Sequence, residues 1–169
     1  MFIKFCYLLI FTLALASSVM ADCNNAIPRT TPDQAFTLYD DGTVTHNNTG
    51  LMWMRCQLGQ TWNGSTCSGT AQTYNWQNAL QMAESVSFAG YNDWRLPNKN
   101  ELISIVERAC YNPAINTTAF PNTASSGIWS SSQPAFRANS SWGMNFRDGS
   151  VDSVYKPGNA HVRLVRGGQ

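Results

Sequence analysis

The sequence predicts one α+β domain behind an export leader, and three observations carry that prediction. Two segments in the middle of the chain have helical periodicity with capping signals. Short apolar or alternating runs, separated by Asn-, Asp- and Gly-rich turns, lie both before and after them. Beyond the leader the cysteines are even in number, and no repeat or long linker divides the chain. Helices enclosed by two groups of strands imply that the first and last strands share a sheet.

Residues 1–21 have the pattern of a leader rather than of the fold. Lys4 supplies a short positive start, residues 6–16 are apolar, and Val19-Met20-Ala21 is a small-residue cleavage pattern. The apolar run is short for a membrane span. Asp22 before Cys23 spoils a lipid-acceptor pattern, so the expected product is released into the periplasm or outside the cell and is not membrane-embedded. The chain has 11 basic and 10 acidic residues, and losing Lys4 leaves it formally neutral. Neutrality argues against an electrostatically driven nucleic-acid or membrane-surface partner.

Residues 22–35 read as an extended arm and residues 36–169 as the domain. Residues 36–39 and 43–46 form a predicted hairpin around Asp40-Asp41-Gly42, where Asp bonds its own backbone; the adjacent carboxylates need no catalytic explanation. Residues 51–54 are a buried strand, and residues 56–72 a Gly-, Ser- and Thr-rich loop carrying Trp62. In the first helix Trp76, Ala79, Leu80, Ala83 and Val86 recur at spacings of three and four, with Thr73 as the expected cap and an end near Ser87. Residues 111–127 form a long polar segment anchored by Ile115 and Phe120. Strands are expected at 128–132, 142–146, 151–155 and 161–165, with Arg147-Asp148-Gly149-Ser150 as a hairpin turn.

Cys6 leaves with the leader. Cys23, Cys56, Cys67 and Cys110 then admit three disulfide pairings. Cys56 and Cys67 flank a compact loop and are the natural local pair, which leaves Cys23 with Cys110. Closing the short loop contributes roughly 2–3 kcal/mol in the chain-entropy picture. Zinc is the rival use, but no C-x-x-C spacing occurs and only His46 and His161 could assist.

The stretch GYNDWRLPNKNEL, residues 90–102, organises the chain. Pro97 prevents a helix from running through, and Asn98 with Glu101 forms a capping box for a second helix expected at 99–109. Trp94 and Leu96 read as core plugs, bracketed by Asp93 and Arg95, whose charges tie the loop down.

These motifs fall in a familiar order. DDGTVTHNNTGLMW at 40–53, the Trp76–Ala79–Leu80 helix, GYNDWRLPNKNEL, Phe120-Pro121, WSSS at 129–132, W-x-x-x-F-x-DGSV at 142–151 and VRLVR at 162–166 together resemble the Lcl C-terminal domain family of exported bacterial proteins, over residues 36–166. The resemblance implies a C-type-lectin-like fold, related in architecture to the formylglycine-generating enzymes. It also implies an envelope or extracellular setting and adhesion, the best-known member being a collagen-tailed adhesin that binds sulfated polysaccharide. This sequence contains no Gly-X-Y repeat, and its neutral charge does not favour a strongly anionic glycan.

Catalytic signals are sparse. There is no G-x-S-x-G elbow, neither histidine has an acidic neighbour in sequence, and cysteines held in disulfides are not nucleophiles. Asn92-Asp93-Trp94 is a scrambled order of the Trp-Asn-Asp calcium triplet of true C-type lectins, and no Glu-Pro-Asn partner occurs. No catalytic residue, metal or cofactor is therefore assigned. Six Trp, six Tyr and eight Phe favour a metal-free surface that takes a glycan or surface protein. Trp62, Trp142, Asn145, Arg147, Asp148 and Tyr155 are the expected ligand contacts, because they lie in or beside predicted loops and hairpins. The expected function is a non-catalytic binding module. The alternatives are an interaction part of an envelope or pilus assembly and, last, a formylglycine-generating-type enzyme.

Overall fold

In the computed structural model, which describes residues 21–167, the chain passes in order through sixteen short elements. They are β1 (Asp22–Cys23), a 3-10 turn (Asp33–Ala35), β2 (Phe36–Leu38), β3 (Thr43–His46), β4 (Leu51–Met54), β5 (Thr61–Trp62), β6 (Cys67–Ser68), β7 (Thr73–Tyr74), α1 (Trp76–Ser85), α2 (Lys99–Ser104), β8 (Cys110–Tyr111), β9 (Gly127–Trp129), β10 (Ser140–Asn145), β11 (Ser150–Tyr155), β12 (Ala160–His161) and β13 (Val165–Arg166). The leader assigned from sequence lies outside the described residues except for Ala21. The α+β class is as expected, with two disulfides, Cys23–Cys110 and Cys56–Cys67.

Two sheets carry the fold. One has the order β13-β4-β3-β2, and the other β11-β10-β9-β12-β7. The C-terminal strand β13 pairs antiparallel with β4, so the ends of the domain share a sheet. Leu51-Met52-Trp53-Met54 shows why this strand reads as a continuous apolar run. Leu51 and Trp53 enter a core with Leu102, Ile105, Phe120, Met144 and Phe146, while Met52 and Met54 enter a second core with Ala79, Ala83, Trp94 and Leu164. Alternation along one strand feeds two cores, and both faces are buried.

The β2–β3 turn forms as its residues dictate: Asp41 Oδ1 accepts from the amide and hydroxyl of Thr43. Gly42 has φ +86°, and a Cβ there would stand 2.8 Å from Trp62, so this turn admits only glycine without displacing the indole.

Four details differ from the sequence expectation. Thr73 is not the cap of α1, because it pairs with His161 in the sheet; Asn75 takes the role, its side chain accepting from the amide of Asn78. The capping box of α2 forms as expected, but the helix ends at Ser104 instead of 109. Val106 bridges to Ile115 instead, and buried Glu107 accepts from the amides of Thr30, Thr31 and Ala109, so tertiary bonds displace the helical ones. The 56–72 loop contains the small hairpin β5–β6. The strand expected at 161–165 divides, β12 joining one sheet and β13 the other, with Arg163 buried at the crossing.

Arg163 has no carboxylate partner among the described residues. Its guanidinium donates to the carbonyls of Met54 and Arg55 and to Thr123 Oγ1, and it lies 4.7 Å from the centre of the Phe120 ring. Burial lowers its pKa to about 9.

Candidate binding surface

The residues expected to contact ligand fall in three separate places. Trp62 sits on β5 with its indole N–H donated to Asp40 O at 2.8 Å and the Arg55 guanidinium 4.1 Å from its ring centre. Arg55 is itself held by the carbonyls of Thr118 and Ala119. This indole is therefore braced between the disulfide hairpin and the β2–β3 turn.

Trp142 and Tyr155 share one face of the β10–β11 hairpin, since Trp142 pairs with Ser153 and Ser140 with Tyr155. Trp142 is half-buried under Lys99, whose Nζ lies 5.2 Å from the ring centre, whereas Tyr155 is 60% exposed. Asn145, Arg147 and Asp148 lie at the opposite end of that hairpin. Asn145 Oδ1 accepts from the Arg147 amide and Asp148 Oδ1 from the Ser150 amide, so both side chains build the turn. Gly149 closes it at φ +75°, where a Cβ would stand 2.7 Å from Val106 Cγ1.

The 90–102 stretch is a fastening. Trp94 is 3% exposed and Leu96 is buried. Arg95 donates to both oxygens of Glu101 at 2.8 Å and to Gly167 O. Arg166 binds both oxygens of Asp93 and lies 3.8 Å from the centre of the Tyr91 ring. The bond to Glu101 raises the Arg95 pKa, and Arg166 lowers that of Asp93. Burial opposes the charge of Glu101, yet Arg95 and the Asn98 amide hold its carboxyl below the ordinary range. Asp93, Arg95 and Glu101 each face an opposite charge, and together they pin the C-terminal strand.

A different region is open. A cleft of about 380 Å³ lies at the start of α1, lined by Asn75, Trp76, Gln77, Asn139, Lys156 and Pro157. Trp76 is half-buried, its N–H donated to Ser130 O, with Lys156 Nζ 4.3 Å from its ring centre. That ammonium bonds only neutral oxygens, Gln133 Oε1 and Ala138 O, both at 2.7 Å. It thereby holds both ends of the 133–138 loop, whose Phe136 is 96% exposed. Trp76 also packs against the second core, as its helical spacing predicts; for Lys156 the available signal is the run from Gln133 to Asn139, where Phe136 stands among loop formers.

A larger cavity of about 570 Å³ lies beside the N-terminal arm. Several of its polar side chains are engaged: Asn116 donates to Thr31 O and Asp33 Oδ1, and Arg29 donates to Cys110 Sγ. It offers no aromatic platform. Among the described residues, no group of three or more His, Cys, Asp or Glu side chains is placed to hold a metal. No helix among them is long and apolar enough to cross a membrane.

The comparison with curated proteins returned no match. The sequence profile of the Lcl C-terminal domain matches residues 42–166, a span that begins in the β2–β3 turn and ends at β13. The chain belongs to the Lcl C-terminal domain family.

Proposed function

We propose that this protein is an exported, non-catalytic binding module that recognises a glycan or another surface ligand through the Trp76 cleft, without a metal. The observation that carries the reading is the cleft's composition: an indole floor, the amides of Asn75, Gln77 and Asn139, and an ammonium with no carboxylate partner among the described residues. Indole and amide groups side by side match a ligand with apolar C–H faces and many hydroxyls. Membership of the family and two disulfides fit an oxidising, extracytoplasmic setting. All four cysteines of the described chain are paired, which supports a binding role over oxidase chemistry.

A second reading, an interaction part of an envelope assembly, draws on Phe136. A fully exposed phenyl ring on a pinned loop is a natural protein anchor.

The test is a glycan-array screen of the oxidised chain, with calcium and with chelator, repeated with Asn139→Ala. Selective binding that survives chelation and is lost in the variant supports the cleft. Binding abolished by chelation contradicts the metal-free reading, and a clean negative on folded protein favours the assembly role.

A further inference from the structure

β11 is an edge strand of the five-stranded sheet, six residues long, and its one strand partner among the described residues is β10. The phase of its outward groups follows from Trp142. That residue directs its N–H to Ser132 O and its C=O to the Ser130 amide, on the β9 side. Its neighbours Ser141 and Gly143 therefore face β11, where their register partners are Val154 and Asp152. The Lys156 amide, bonded to Asn139 O, continues the same phase. The outward backbone groups belong to Val151, Ser153 and Tyr155. Among the described residues, nothing bonds the amides of these three or the carbonyls of Val151 and Ser153; the Tyr155 carbonyl accepts from Gly158.

Exposed edges are ordinarily guarded by lysine, proline or a bulge. Residues 150–155 contain neither lysine nor proline, their one charge is the exposed Asp152, and the pairing with β10 is continuous, without a bulge. The nearest cation, Lys156, is turned away towards Gln133 and Ala138.

We propose that this edge is a self-pairing interface, two copies of the chain joining β11 to β11 antiparallel about a twofold axis at Ser153. The hydrogen-bond phase requires an odd-numbered residue opposite an odd-numbered one. Centring on Ser153 sets Tyr155 against Val151 of the second copy, an aromatic and β-branched pair, and Asp152 against its Val154. Centring on Asp152 would oppose two carboxylates. Of the two in-phase registers that overlap five residues of the strand, only the one centred on Ser153 avoids opposed carboxylates, and a second copy is the occupant that its side chains fit.

The experiment is sedimentation of the purified, oxidised full chain across a concentration series, with Ser153→Pro and Ser153→Lys beside it. The Ser153 amide lies outside the β10 ladder, so proline there removes an outward donor and leaves the β10 pairing intact. The expected result is a concentration-dependent dimer that both variants convert to a monomer that stays folded. If Ser153→Pro does not fold, Ser153→Lys carries the test. Ser153→Cys, placed on the axis, is expected to form a disulfide-linked dimer on a non-reducing gel. A wild-type monomer at all concentrations overturns the proposal, including one that captures a foreign strand; so does a dimer indifferent to both edge variants, or a cysteine variant that never cross-links.

Discussion

The 90–102 loop and the Trp76 cleft are built from the same kinds of residue, aromatics beside cations and amides, yet they do opposite things. In the loop, Arg95 and Arg166 are matched to Glu101 and Asp93, and Trp94 is sealed beneath them. In the cleft, Lys156 meets only neutral oxygens and Trp76 stays partly open. The loop dominates the sequence because its proline, cap and Trp stand together, whereas the cleft is assembled from three distant segments. Salience in the chain marks what holds the fold, and the proposed site lies where pairing in space is incomplete.

The largest test of this contrast is Trp94→Ala. As a buried plug the indole should cost about 3–5 kcal/mol on removal, read by thermal or urea unfolding. Unchanged stability would make the loop a binding element after all. Glu101→Ala removes the Arg95 partner and half of the capping box together, with an expected loss of about 1–3 kcal/mol.

Acid should loosen the fold gradually. Burial lowers the pKa of both His46 and His161, so below about pH 6.5 the unfolded chain takes up more protons and stability declines. Glu107 extends the loss to lower pH: burial opposes its charge, but the Ala109, Thr31 and Thr30 bonds hold its carboxyl down, and that stability is lost as pH falls through its folded pKa. A melting temperature that is level or rising from pH 7 to 4 would contradict these assignments. The smallest stability effect belongs to Phe136→Ser, within about 0.5 kcal/mol, although it should weaken capture of a protein partner if the exposed ring is an anchor.

Much of the fold was legible because its cues are local. β3 and β4 match the sequence reading at both ends, since alternation, Asp41 and Gly42 act within a few residues. The Asn98–Glu101 box is equally local. The early end of α2, the division of 161–165 and the pairing of Thr73 were not legible, because Thr30, Thr31, Ile115 and two different sheets supply the competing bonds. For the same reason the expected contacts scattered. Trp62, Asn145 and Asp148 also take part in turns and braces, and the cleft is assembled only where Trp76, Asn139 and Lys156 meet.

The most direct measurement compares Asn139→Ala with Arg147→Ala for affinity towards whatever the glycan screen selects. The cleft predicts that Asn139→Ala loses about tenfold, the equivalent of one good hydrogen bond, while Arg147→Ala binds like the parent. The opposite pattern, with binding lost at Arg147 and retained at Asn139, would move the site to the β10–β11 turn and contradict the account.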